Sequence, residues 1–148
     1  MATNFKNIHI GALIKQRMKE CGIAIERAAA FLKTSEEDVE HMYTKKSLEC
    51  HILLRWSKLL KYDFFRIYSQ HLILYAPQDK GKAMRERMKT DSLLPVFKKN
   101  IYTQEVISYL VGLVESGRKT YKQIQDEYNI PSTTILRWYD KYGKKQLN

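Results

Sequence analysis

Lys119-Thr-Tyr-Lys-Gln-Ile-Gln-Asp-Glu-Tyr-Asn-Ile-Pro-Ser-Thr-Thr-Ile-Leu-Arg-Trp-Tyr-Asp-Lys-Tyr142 is the stretch that decides the fold: it writes two short helices with a punctuated gap between them. Thr120 is placed to cap the first, which runs from Tyr121 with Ile124 and Tyr128 on one face. Asn129-Ile130-Pro131 ends it, because proline disfavours a helical residue before it and has no N–H to donate. Ser132 is expected to cap the second helix, whose apolar positions Ile135, Trp138 and Tyr142 are spaced three and four apart. The face opposite them carries Thr133, Thr134, Arg137 and Lys141. Two short helices around a tight turn, the second with a hydroxyl-rich and basic outer face, make the helix-turn-helix pattern and predict a DNA reader. Small donors and one long arginine suit positions that reach base edges, so Ser132, Thr133, Thr134, Arg137 and Lys141 are the base-reading candidates. Lys122 and Gln123, at the start of the first helix, and Lys144 and Lys145, beyond the second, are candidates for phosphate.

Upstream, residues 103–115 read as a leading helix and Gly117 as its stop. A leading helix, a glycine, a capped second helix, then Ile-Pro-Ser-Thr-Thr-Ile and Arg137-Trp138 before an aromatic-ended basic tail resembles the helix-turn-helix of insertion-sequence transposases and their small accessory proteins. The resemblance covers roughly the last third of the chain. It implies double-stranded DNA as the partner, and a role as the recognition partner of a separately encoded transposase or as a regulator derived from one. Transposition and transcriptional regulation both stay open as outcomes.

Composition agrees with a polyanionic partner. The 148 residues hold 26 basic and 16 acidic side chains, a formal net charge of +10, and displaced counterions drive such chains onto a phosphate backbone. One or two small domains are expected at this length. No run of about 18 apolar residues predicts a membrane span, and the amino terminus has no long apolar stretch of the secretory kind. Cys21 and Cys50 give no disulfide framework, fit a reducing cytoplasm, and are expected to be small buried or half-buried residues.

Residues 8–75 read as a second, nearly all-helical module. Helices are expected at about 11–20, 25–32, after Ser35, at about 49–60, and from Asp63 onward. Gly22 is a natural stop, Ala28-Ala29-Ala30 lets a neighbouring helix approach closely, and Ser35 with Asp38 forms a capping pair. The fifth helix places apolar groups on more than one face, which implies a second buried face or a self-association surface and admits a homodimer. Over about residues 10–65 the spacing is similar to the phage-repressor (Cro-like) helix-turn-helix family, with Ile10-Gly11, Leu13-Ile14, Ala29, Val39, Leu53-Leu54 and Leu59 at its core positions. Departures stand beside the likeness. Ile25 replaces a phosphate-contacting glutamine, Lys33 replaces a turn glycine, and the third helix opens with Glu36, Glu37, Asp38 and then Glu40. Those carboxylates repel phosphate, so this helix is not expected to read bases; Lys45, Lys46 and Arg55 remain backbone-touching candidates.

Between the modules, residues 76–100 form an expected basic linker, punctuated by Pro77, Gly81 and Pro95. Its seven basic and three acidic residues make it the densest positive segment, either a solvated tether or a strap that follows phosphates. The expected architecture is therefore all-α: a five-helix repressor-like bundle (8–75), the linker (76–100) and a three-helix helix-turn-helix domain (101–148).

No catalysis is expected. A cut-and-paste transposase needs carboxylates on an α/β domain to hold two metal ions, and the strand signals for such a domain are few. His9, His41, His51 and His71 are scattered, Cys50-His51 lacks zinc-site spacing, and no Gly-rich phosphate loop is present. Neither a cofactor, a metal nor a small-molecule substrate is expected. The competing reading is a helical interaction or dimerisation module with incidental DNA binding, and a shallow salt dependence of DNA affinity marks it.

Overall fold

The computed structural model describes residues 3–77, 93–95, 97 and 100–143. Among the described residues there are eight α-helices and no strand, so the chain is all-α: α1 Ile10–Cys21, α2 Ile25–Leu32, α3 Glu36–Tyr43, α4 Cys50–Leu60, α5 Phe65–Tyr75, α6 Gln104–Glu115, α7 Tyr121–Tyr128 and α8 Ser132–Tyr142. Contacts group residues 4–68 into one compact unit and residues 69–148, with 1–3, into another. The division falls inside α5. Most of the expected 76–100 linker, including the basic run Lys82–Lys89, lies outside the described residues.

In the amino-terminal unit, α2 packs on α3 and α4, and α1 packs on the same pair. An α-helix begins with four N–H groups that lack an internal acceptor. In α1 three of them find partners outside the helix ladder, and the first internal bond follows. Ile10 N–H donates to the Lys46 carbonyl (3.1 Å), Gly11 N–H to that of Lys45 (3.0 Å), Ala12 N–H to His9 Nδ1 (3.1 Å) and Leu13 N–H to the His9 carbonyl (3.3 Å). The other end stops at Gly22 in the left-handed region, φ 63°. Ala28 and Ala29 are buried as the alanine run suggested. Trp56 of α4 is fully buried, and its indole N–H donates to the Met42 sulfur at 3.4 Å.

Lys33 ends α2 at φ 55°, so a lysine adopts the left-handed conformation where the repressor pattern has glycine. Its N–H and that of Thr34 close back on the Ala30 and Ala29 carbonyls. Arg55 reaches across from α4, donates to the Phe31 carbonyl and lies over the Phe31 ring, so both ends of the guanidinium's chemistry are used to finish α2. An L-residue in this region costs about 1–2 kcal/mol, part of which glycine gives back through its freer unfolded chain. Lys33→Gly is therefore expected to stabilise the unit by about 0.5–1 kcal/mol. A rise in the melting temperature of the full chain checks this; a fall refutes it.

Ser35 caps α3 by accepting the Asp38 N–H (3.1 Å), and the Thr34 hydroxyl donates to the Asp38 carboxylate (2.7 Å). The Thr34 hydroxyl first, then the side chain and backbone of Ser35, hold that carboxyl below its ordinary range. The expectation for the cysteines is corrected: Cys21 and Cys50 are both exposed. They stand at the last position of α1 and the first of α4, away from the packed stripe of either helix.

Asp63 starts α5 by accepting the Phe65 N–H (3.1 Å) and pairing with Arg66 (3.2 Å). Phe64, just ahead of the helix, is buried, and within it Ile67, Gln70 and Ile73 follow, one every third residue. The polar member, Gln70, is fully buried and belongs to the carboxy-terminal unit. Its Nε2 donates to the Ile101 carbonyl (2.6 Å) and its Oε1 accepts the Thr103 N–H (2.9 Å). Thr103 in turn caps α6 by accepting the Val106 N–H, and Gly117 at φ 70° follows that helix as expected.

Candidate nucleic-acid interface

The α7–turn–α8 unit is built by local chemistry at each joint. Thr120 accepts the Gln123 N–H (3.2 Å) while the Gln123 side chain accepts the Thr120 N–H (2.8 Å), a reciprocal box that fixes the start of α7. Asn129, at φ 53°, ends α7. Ile130 then drops into the interior, and Ile124, Ile130 and Ile135 are all fully buried. One isoleucine from α7, one from the turn and one from α8 thus lock the two helices together, and α6 packs on α8 behind them.

Ser132 does not cap α8. Pro131 occupies the cap position and makes no side-chain bond there; Ser132 is the first helical residue. Its N–H is satisfied from seven residues back, by the Gln125 side-chain oxygen at 3.0 Å, and the Pro131 carbonyl takes the Thr134 and Ile135 N–H groups. The serine hydroxyl is therefore not used as the helix cap. Gln123, a phosphate candidate, has its side-chain oxygen committed to Thr120, which narrows what it can offer a backbone to its amide N–H groups.

Burial sorts the base-reading candidates. Thr133, Arg137 and Lys141 are exposed; Ser132 and Thr134 are half-buried at the edge of the packed face. Lys141 leans over the ring of Tyr142, 5.2 Å from its centroid. The exposed face also holds two residues that the sequence reading passed over, Leu136 and Asp140. Both were findable from the helical angle alone, since 133, 136, 137 and 140 fall on one side. Trp138 is half-buried, meeting the Tyr102 ring edge-on at 4.9 Å, and Tyr139 meets Tyr121 in the same way at 6.1 Å. Eleven residues make α8 about 16 Å long, a rod that a major groove about 12 Å wide admits.

The charges around α7 divide into used and offered. Lys119 pairs with Glu127 and lies over the Tyr128 ring. Lys122 is exposed in the first turn of α7, where the N-terminal end of the helix adds to its attraction for an anion. Burial first, then Tyr139 and Asp140, raise the Tyr121 phenol, and burial followed by Tyr109 pushes Tyr128 up to about 12. Both stay neutral donors at pH 7. Lys144 and Lys145 lie outside the described residues.

In the amino-terminal unit, Lys45 and Lys46 are exposed on the loop between α3 and α4, whose carbonyls hold the start of α1. Arg55 is turned to Phe31 instead of outward. Glu36, Glu37 and Glu40 are exposed on α3, so its accessible surface is mostly acidic. No helix among the described residues is long and apolar enough to cross a membrane. No family model, curated protein or solved structure matches the chain.

Proposed function

We propose that the chain is a non-catalytic, sequence-selective DNA-binding protein whose reader is α8, of the kind that serves transposition or transcriptional regulation. The observation that carries this reading is the division of α8 into two faces. Ile135 is sunk in the module's core while Thr133, Arg137 and Lys141 stand exposed on a chain of net charge +10. A hydroxyl near the start of the helix and a guanidinium one turn on present donors to the acceptor-rich edge of guanine. Lys122 flanks them as a phosphate contact, and Lys144 and Lys145 extend the basic side in sequence. The acidic accessible surface of α3 supports leaving base reading to the carboxy-terminal unit alone. A second copy of the chain or a separately encoded transposase would be the protein partner. The exposed Leu72, Tyr75 and Tyr109 favour an interaction role as the competing reading.

Selection of DNA by the full chain, followed by binding to matched and mismatched duplexes, tests the proposal. Arg137→Ala is expected to cost about 1–3 kcal/mol on the selected site and to blur one base pair, because its two-pronged contact to guanine is lost. Lys122→Ala should weaken all sequences about equally and reduce the salt slope by about one. If both changes lower affinity with no effect on base preference, α8 is a backbone clamp and not a reader. A salt-independent affinity would return the chain to the interaction reading.

A further inference from the structure

On the outer face of α8 a single large apolar side chain stands among polar ones. Leu136 is 43% exposed, with exposed Thr133 three residues before it, exposed Arg137 beside it and exposed Asp140 four residues after it. The module does not use it as core, since Ile135, next to it in sequence, is fully buried and fills that role. An isolated exposed leucine is ordinary on a protein surface. Its place among donors is what carries information.

We propose that Leu136 reads the C5-methyl group of a thymine, in the base pair next to the guanine that Arg137 contacts; this rests on the DNA-reading function proposed above. Of the four base-pair orientations in the major groove, thymine alone presents an apolar group, beside the O4 acceptor. Leucine facing an adenine or cytosine amino group, or guanine N7, would strip water from a polar atom and give it no partner. The same side chain facing thymine buries a methyl group against branched carbon. The register fits. Neighbouring residues of a helix rise about 1.5 Å and stand about 100° apart, so their side-chain tips fan out further than the rise, and successive base pairs are about 3.4 Å apart along the duplex. Leu136 and Arg137 can therefore meet adjacent steps, and the reading predicts a thymine and a guanine as neighbours in the selected site, on the same or opposite strands.

The test uses the full chain and the duplex obtained by selection. Each thymine is replaced singly by deoxyuridine, which removes only the methyl group and keeps the base pair. At one thymine, adjacent to the guanine whose preference Arg137→Ala blurs, the wild-type chain is expected to lose about fourfold in affinity, the worth of one buried methyl-sized group. Leu136→Ala should bind the thymine duplex about fourfold more weakly and show no further loss with deoxyuridine at that position. The deoxyuridine series on the unaltered chain needs no variant to fold. Indifference of the wild-type chain to every replacement, with the Arg137 effect intact, overturns the assignment of Leu136 and leaves the DNA reader standing. An undiminished deoxyuridine penalty in Leu136→Ala also overturns it, because the methyl group is then read by another side chain. Binding with no selected motif at all overturns the reader and this inference together.

Discussion

Gly11→Ala is expected to unfold, or nearly unfold, the amino-terminal unit. A methyl group at Gly11 would lie 2.3 Å from the Met42 carbonyl oxygen, 2.6 Å from that of Tyr43 and 2.7 Å from that of Lys45. All three are backbone atoms at the end of α3 and in the loop after it, so no side chain can swing aside. The same loop accepts the Ile10 and Gly11 N–H groups. Moving it away to admit a methyl group therefore strands two donors in a buried first turn, each worth about 1 kcal/mol when paired. Overpacking of a tight site adds up to about 3 kcal/mol, and the total is a large part of the stability of a unit this small. Urea unfolding followed through buried Trp56 measures the loss. Gly112→Ala in α6 is the control: nothing lies within 4 Å of its methyl group, and helix propensity predicts a gain of about 0.5–1 kcal/mol. A loss under 1 kcal/mol for Gly11→Ala would show that the loop yields, and would remove the close approach as the reason for glycine there.

The reach of the sequence follows the reach of the chemistry. Caps whose partners lie three residues away were legible at Thr120 and Ser35, which accept the N–H three positions on, while Thr103, read as the first residue of its helix, is its cap; Gly22 and Gly117 take the left-handed turns expected of them. Ile124 and Ile135 were equally plain, because a 3.6-residue period marks the buried face of each helix, whereas Ile130, read only as part of the break, lies in the turn where no period marks it. What failed to show was contact made over a distance. Pro131-Ser132 looks like a serine cap, and only the fold brings Gln125 to the Ser132 N–H. Arg55 looks like a surface cation until α2 and α4 are packed and the Phe31 carbonyl lies within its reach. At the candidate site the error was of another kind. Sorting α8 by residue type picked out hydroxyls and cations and left Leu136 and Asp140 unread, although the helical angle puts them beside Thr133 and Arg137.

Gln70 is the extreme case of a distant contact, and it carries the second large expected effect. In sequence it is one polar residue in the apolar run of α5, at a position that a solvent-facing side chain could fill without comment. In the fold it is fully buried, and its two partners are 31 and 33 residues downstream. A neutral amide is suited to the task, since it offers a donor and an acceptor side by side and carries no charge to desolvate. The Ile101 carbonyl and the Thr103 N–H present the matching pair, and Thr103 then caps α6. The amide thus holds the residues that lead into the first helix of the carboxy-terminal unit. Gln70→Leu keeps the volume and removes both partners, and an unsatisfied buried polar group costs about 1–3 kcal/mol. We expect a loss of about 2–4 kcal/mol in that unit, greater than for any exposed change on α8. Gln70→Glu should also fail, because an ionised carboxylate cannot donate to the Ile101 carbonyl and is costly to bury. It should fail less at low pH, where protonation restores a donor. Urea unfolding of both variants at pH 7 and pH 4.5, read through Trp138, decides it. Equal losses for Gln70→Glu at the two pH values would mean that packing, and not the pair of hydrogen bonds, is what Gln70 supplies.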